Sequence, residues 1–420
     1  GSVIFSTDES WTARESFIRE SSIYNGETQD FTVNLKPLTP VVVAFDKKAL
    51  VPQICEPVRS VERIPVKEII RTPKGELVYD FGQNLAGVVE VKTSEDFDGT
   101  LVLQHAEILV DGNFYTDNLR GAKATDMFTC KGAHTLSAEF TFHGFRYMKL
   151  EGAELSVGNV TALVRHTDMK RTGYIQTDNA RFQRLYENVV WGQRGNFVDI
   201  PTDCPQRDER FGWTGDINAF CRTAAYNYDI RAFMKKWLKT LREDQTADGR
   251  IPIIVPNFLA ECETDAMWCD CVTMVPWTLY EMYGDISFLE ENFPAMEKFI
   301  AAREATMENG LIARGHEFGD WLALDGEALL WNGAIGRTDV YFLANVLHAN
   351  SLKITADAAH LLGKEREERS YRKKYEEHLA RVREEYITKG RRYGGHFLTF
   401  GAGTRKRISR RGRKGAGHGI

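Results

Sequence analysis

Up to about residue 165 apolar and polar positions alternate in short runs. Gly87-Val88-Val89-Glu90-Val91-Lys92 and Thr100-Leu101-Val102-Leu103-Gln104 show the two-residue period of half-buried strands. Turn formers such as Pro73-Lys74-Gly75 and Asp98-Gly99 separate them at sandwich-like intervals. The texture changes between Thr167 and Asn179. Phe182, Leu185, Tyr186, Val189 and Val190 then recur at three- and four-residue steps, behind Asp178 or Asn179 as a helix cap. Further helices are predicted near 216–247, 270–283, 286–307, 338–362 and 365–385. A β region followed by a long run of helices predicts separate domains, the second all-α. Helix pairs joined by functional loops point to an α/α barrel whose loops gather at one end.

Composition narrows the class. At 420 residues the chain exceeds one ordinary core, and 43% hydrophobic with 27% charged residues is the balance of a soluble globular protein. A net charge of −5 gives no reason to expect nucleic acid or an anionic membrane as partner. No apolar run reaches the length of about 20 residues that a membrane helix needs. Gly1-Ser2-Val3-Ile4-Phe5 lacks the basic and long apolar regions of a signal peptide. The expected location is cytoplasmic, with a secreted form left open by the Gly-Ser start. Seven cysteines are scattered. Cys262, Cys269 and Cys271 lack the paired spacing of a structural zinc site, so reduced thiols are the plainer reading. Thr404 to Ile420 carries seven Lys or Arg and no acid, the composition of a disordered tail or of a translation artefact.

The richest segment is Asp203-Cys204-Pro205-Gln206-Arg207-Asp208-Glu209-Arg210-Phe211-Gly212-Trp213-Thr214-Gly215-Asp216. It joins four carboxylates, two arginines and a tryptophan to loop-forming Pro and Gly. A solvated face has little use for that tryptophan. A sugar-cleaving pocket needs a proton donor, acceptors for hydroxyls and a flat apolar surface.

This segment resembles the signature of the bacterial α-L-rhamnosidases, glycoside hydrolase family seventy-eight. Asp80-Phe81-Gly82-Gln83-Asn84-Leu85-Ala86-Gly87 and Phe140-Thr141-Phe142-His143-Gly144-Phe145-Arg146-Tyr147 look like the β-sandwich motifs of that family. Ser21-Ser22-Ile23-Tyr24-Asn25-Gly26-Glu27 is similar to its N-terminal β module. Ala266-Met267-Trp268-Cys269-Asp270 and Gly319-Asp320-Trp321-Leu322 resemble later barrel loops. The likeness runs in family order from about residue 20 to 390.

The resemblance implies β-sandwich domains followed by an (α/α)6 barrel, here an incomplete one. Its expected divisions are a partial β module at 1–40, a sandwich at 41–166, a barrel domain at 167–403 and the basic tail at 404–420. It implies an inverting hydrolase that removes terminal α-L-rhamnose. Position by position, Glu209 would be the general acid. Asp203, Arg207 and Asp216 would hold sugar hydroxyls, and Trp213, Trp268 and Trp321 would wall the pocket. The family's general base is a glutamate well C-terminal to the Gly319–Leu322 segment. Nothing here matches it, so a chain without a base and without about a third of its barrel is expected.

Physically, inversion uses two carboxyl groups roughly 6.5–9.5 Å apart, one giving a proton and one activating water. The donor must keep its proton above the ordinary glutamate value of about 4.3. Burial and the carboxylates Asp203, Asp208 and Asp216 favour that, whereas Arg207 and Arg210 oppose it. The bland alternative for Glu209 is an ion pair with Arg210, and Asp208 is the fallback acid. Asp203 and Asp216 could instead cap helices. Asp270 and Asp320 read equally as hydroxyl ligands and as loop-fixing acceptors. Trp191, Trp237 and Trp277 fall in apolar helical patterns and belong to the core. His105, His143 and His316 show no ligand spacing, and Gly82 and Gly87 lack the helix start of a phosphate cradle. No metal or cofactor is expected. The expected partner is a rhamnose-containing glycoside, and helix faces lacking their neighbours would favour a homo-oligomer. Two other readings stay open: a rhamnose-binding protein without turnover, and a hydrolase of another hexoside.

Overall fold

A computed structural model describes residues 8, 10–323, 335, 336 and 338–387. The expected basic tail, 404–420, and the end of the expected barrel region, 388–403, lie outside the described residues. The chain divides into two compact units, one of residues 1–216 and 223–237, the other of residues 217–222 and 238 onward.

The first unit is built on a ten-stranded sheet. Its strands are β1 (Ile18–Ser22), β2 (Gly26–Asp30), β3 (Val58–Pro65), β4 (Glu68–Arg71), β5 (Leu77–Lys92), β6 (Asp98–Ala106), β7 (Thr125–Lys131), β8 (Thr135–Leu136), β9 (His143–Glu151) and β10 (Val160–Thr167). The order is β1-β2-β7-β6-β9-β5-β10-β3, with β4 and β8 also pairing with β5. β5 is the hub, and its Leu77–Phe81 and Leu85–Val89 stretches are buried on both faces, the pattern of a strand covered on both sides. A Cβ at Gly87 would lie 1.9 Å from the Leu163 carbonyl oxygen, so only glycine lets β10 come this close. Tyr79, Phe81, Phe128, Phe145, Met148 and Val160 fill the core, and Trp191 packs against it.

The expected 1–40 module does not stand apart. β2 runs parallel to β7, with Thr28 opposite Met127, so β1 and β2 extend the sandwich sheet itself. Local alternation specifies a strand but gives no partner for it.

Helix α1 (Ala180–Asn196) starts at Asn179, whose side chain accepts from the Arg181 and Phe182 N–H groups as an N-cap should. It buries Tyr186, Val190, Gln193 and Gly195, whereas Phe182 and Leu185 are 51% and 59% exposed. The helix expected over 216–247 is two helices, α2 (Thr214–Asn227) and α3 (Arg231–Asp244). Tyr228 breaks it by going extended, at φ −136° and ψ 155°, to bridge Arg171.

In the second unit α4 (Cys271–Tyr283) ends at Gly284 with φ 67°, the left-handed cap glycine supplies without a Cβ penalty. α5 (Ser287–Glu304) follows and packs on α4, while α6 (Val340–Leu361) packs on α4, α5 and α7 (Glu365–Tyr386). Trp237 is buried in the first unit. Trp277, expected in the core, is only partly buried and gives its N–H to Glu281. None of the described helices is long and apolar enough to cross a membrane.

Candidate active site

The Asp203–Asp216 segment leaves the short hairpin after α1 and enters α2 at Thr214. It closes on itself, since Asp203 N–H donates to the Phe211 carbonyl at 3.0 Å and Phe211 N–H donates to Asp203 Oδ1 at 2.9 Å. Arg210 holds this loop to the sandwich. Its buried guanidinium donates to the carbonyls of Ile23 (2.6 Å), Phe142 (2.7 Å), Arg207 (3.0 Å) and Gln206 (3.1 Å). Burial pulls its pKa down to about 10, so it stays charged at neutral pH. Cys204 accepts from Arg210 N–H, and burial pushes its thiol up to about 12.

Within the loop Arg207 bridges two carboxylates, donating to Asp203 Oδ2 at 2.8 Å and to Glu209 Oε2 at 2.9 Å. Glu209 Oε2 also accepts from Arg120 at 3.0 Å, and its Oε1 accepts from the Trp213 indole N–H at 2.9 Å. The alternative pairing of Glu209 with Arg210 is thereby corrected: Arg210 faces backbone carbonyls, and Arg207 and Arg120 hold the glutamate. Asp208, the fallback acid, accepts from Gly121 N–H at 3.0 Å and anchors the loop.

Burial raises the Asp203 carboxyl above its ordinary range, against the Phe211 N–H and Arg207. Asp216 is pushed up to about 6, first by burial and then by the charges of Asp203 and Glu209, with Arg207 opposing. Its own surface is open to solvent, so the effect comes from crowding around an accessible carboxyl. The N-cap position of α2 belongs to Trp213, and Asp216 lies in the first turn, where a negative charge meets the positive end of the helix dipole. Asp203, Arg207, Glu209 and Trp213 thus form one chain of hydrogen bonds, with Asp216 in electrostatic reach.

The remaining expected residues belong to the second unit. Trp268, Phe318 and Trp321 cluster, with ring centroids 4.3 Å apart for Trp268–Phe318 and 6.3 Å for Trp268–Trp321. Trp268 is buried and Trp321 is 37% exposed. Asp320 Oδ2 accepts a long bond from Thr338 at 3.4 Å. Asp270 is wholly buried, and its oxygens accept from Met267 N–H (2.9 Å) and the Ser351 hydroxyl (2.7 Å). That is the loop-fixing alternative, and it corrects the expected sugar contact: unlike the partly open Asp203 and Glu209, this carboxyl has no surface left for a ligand.

Sequence reasoning missed two neighbours of these motifs. Asp265 is buried and accepts from His316 at 3.1 Å. Glu317 accepts from Ala266 N–H at 2.6 Å and from the fully buried Arg303 at 3.1 Å. Burial pushes Asp265 up to about 6 and Glu317 up to about 7, with Arg303 opposing the second shift. Both groups bind protons more tightly folded than unfolded. Their contribution to stability is therefore full below the ordinary carboxylate range and is lost as pH rises through about 6 to 7. Melting temperature measured from pH 4.5 to 7.5 should fall more steeply in the wild type than in Asp265→Asn/Glu317→Gln; equal slopes would refute the assignment.

Two sets of residues bring three possible ligand atoms within 4.8 Å: His105, Asp126 and His143, and Asp203, Cys204 and Glu209. The His105 and His143 rings stack at 4.2 Å with 20° between planes, and His143 Nε2 lies 3.2 Å from Asp126 Oδ1. Burial keeps His105 neutral, with its pKa pulled down to about 3. In the second set the Arg207 guanidinium already sits between the carboxylates.

The family model described as the bacterial α-L-rhamnosidase six-hairpin glycosidase domain matches residues 170–400, and that of the concanavalin-like domain matches residues 70–166. A curated α-L-rhamnosidase of Formosa agariphila is 36% identical over 392 residues, which cover 88% of this chain and 42% of that protein. The native α-L-rhamnosidase of Aspergillus terreus superposes with a TM-score of 0.85 at 34% identity, covering 92% of this chain and 47% of that one. The Streptomyces avermitilis α-L-rhamnosidase complexed with L-rhamnose gives 0.82 at 33% identity, covering 93% and 38%. The chain thus spans about two-fifths of the length of the curated relatives it matches. The seven α-helices among the described residues are fewer than the twelve of six hairpins. With a sandwich followed by hairpin helices, and with the Asp203–Asp216 loop between α1 and α2, this chain belongs to the bacterial α-L-rhamnosidase family.

Proposed function

We propose that this chain carries the proton donor and the hydroxyl-binding side of a site that removes terminal α-L-rhamnose with inversion. The observation that carries the reading is the Glu209 carboxyl, held between the Arg207 guanidinium and the Trp213 indole N–H on a loop that also presents Asp203 and Asp216. Glu209 gives its proton to the glycosidic oxygen as the bond to the sugar breaks. Asp203, Arg207 and Asp216 hold hydroxyls, and the Trp213 face lies against the C–H side of the ring. The Asp203 and Asp216 carboxylates are both acceptors for sugar hydroxyls. Trp268, Asp320 and Trp321 are proposed as further sugar contacts through the family likeness. The reading assigns no general base.

A panel of nitrophenyl glycosides, read together with calorimetry on L-rhamnose, tests it. The α-L-rhamnoside should be cleaved with a kcat/KM at least about tenfold above those of hexosides bearing a hydroxymethyl group, the range one methyl-sized difference allows. Absence of both release and L-rhamnose binding would sink the reading. Binding heat without release would establish the binding protein without turnover in its place.

A further inference from the structure

The residue on the sandwich that reaches Glu209 is Arg120, and its backbone is unusual. It sits at φ 56° and ψ −117°, a conformation that crowds a Cβ and that glycine adopts freely. Such strain persists where something else is gained. Stability is a poor candidate for the gain, because the Arg120 side chain is 58% exposed and exposed ion pairs contribute little. What the long side chain does provide is a guanidinium 3.0 Å from Glu209 Oε2. The adjacent contacts point the same way. Gly121 N–H donates to Asp208 at 3.0 Å, and a Cβ on Gly121 would lie 2.6 Å from that carboxylate oxygen. The Tyr24 hydroxyl donates to the Glu209 carbonyl at 2.8 Å. Two consecutive residues of the acid loop are therefore held by the sandwich, backbone and side chain alike.

We propose that Arg120 is a positioning residue for the proton donor, so that the β-sandwich sets the aim of the acid. This rests on the reading of Glu209 as that donor. Arg120 and Arg207 grip Oε2 together, which fixes the plane of the carboxyl. Without Arg120 the carboxyl keeps one guanidinium partner and can swing about its own stem.

Arg120→Gly tests this, because it removes the cation while relieving the backbone. Its melting temperature should equal or exceed that of the wild type. Its kcat on an aryl α-L-rhamnoside should fall about tenfold to a hundredfold, the range of a small misalignment, with KM within about twofold. Arg120→Lys should recover part of the loss, and added guanidinium ion should restore part of kcat to Arg120→Gly and none to Glu209→Gln. A kcat within about twofold of wild type in Arg120→Gly, or no recovery by either cation, would overturn the proposal. Failure of the donor reading itself looks different: Glu209→Gln would turn over as fast as the wild type. Whatever the turnover, a double-mutant cycle of Arg120→Gly and Glu209→Gln on urea unfolding should show coupling of about two- to fivefold in the unfolding constant. Strict additivity in that cycle would also overturn it.

Discussion

Glu209→Gln is expected to lower turnover of an aryl α-L-rhamnoside by about a hundredfold to ten-thousandfold, the usual contribution of a positioned proton donor. The amide matches the carboxyl in size but cannot release a proton to the departing oxygen. L-Rhamnose affinity should stay within about tenfold of wild type, because Asp203, Arg207 and Asp216 are untouched. The loss should be larger for an alkyl rhamnoside than for a nitrophenyl one, since a poor leaving group needs protonation more. That contrast separates lost acid catalysis from a disturbed loop, which would slow both substrates alike. Retention of more than about a tenth of wild-type turnover on the alkyl substrate would remove Glu209 from the role.

The second large effect is structural. Arg210→Met should cost about 3 kcal/mol or more, because four carbonyls that now receive the guanidinium lose a charged donor in a buried place. Each such group left unsatisfied costs about 1–3 kcal/mol, and some recovery through water keeps the total below the sum. Arg210→Lys should be intermediate: it keeps the charge but not the planar fork that reaches four acceptors. Urea unfolding measures both. Because Ile23 and Phe142 belong to the sandwich and Gln206 and Arg207 to the acid loop, turnover should fall with stability. A loss below about 1 kcal/mol in Arg210→Met would show that other contacts hold the loop.

Part of this arrangement is legible in the residue pattern itself. Alternation marks the strands of the sandwich, and helical periodicity marks α1 and α4 to α7 to within a few residues. The Asn179 cap is legible because caps are local. The break at Tyr228 is not, since it serves a bridge to Arg171, 57 residues earlier, that overrides the helical preference of its own segment. Asp270 misleads for a related reason. Its sequence neighbours are those of a sugar loop, yet Ser351 on α6 takes one of its oxygens and closes it off.

The sequence alone determined which side chains stand together, because Asp203 to Asp216 bring four carboxylates, two arginines and an indole into one contiguous segment. Only the tertiary structure decided how they are used. Arg120 and Glu209 are 89 positions apart, Arg210 and Ile23 are 187 apart, and no periodicity links residues at such separations. Charge pairing falls off over a few ångströms, so it follows folded distance, which the chain acquires only when the sandwich and the loop close on each other.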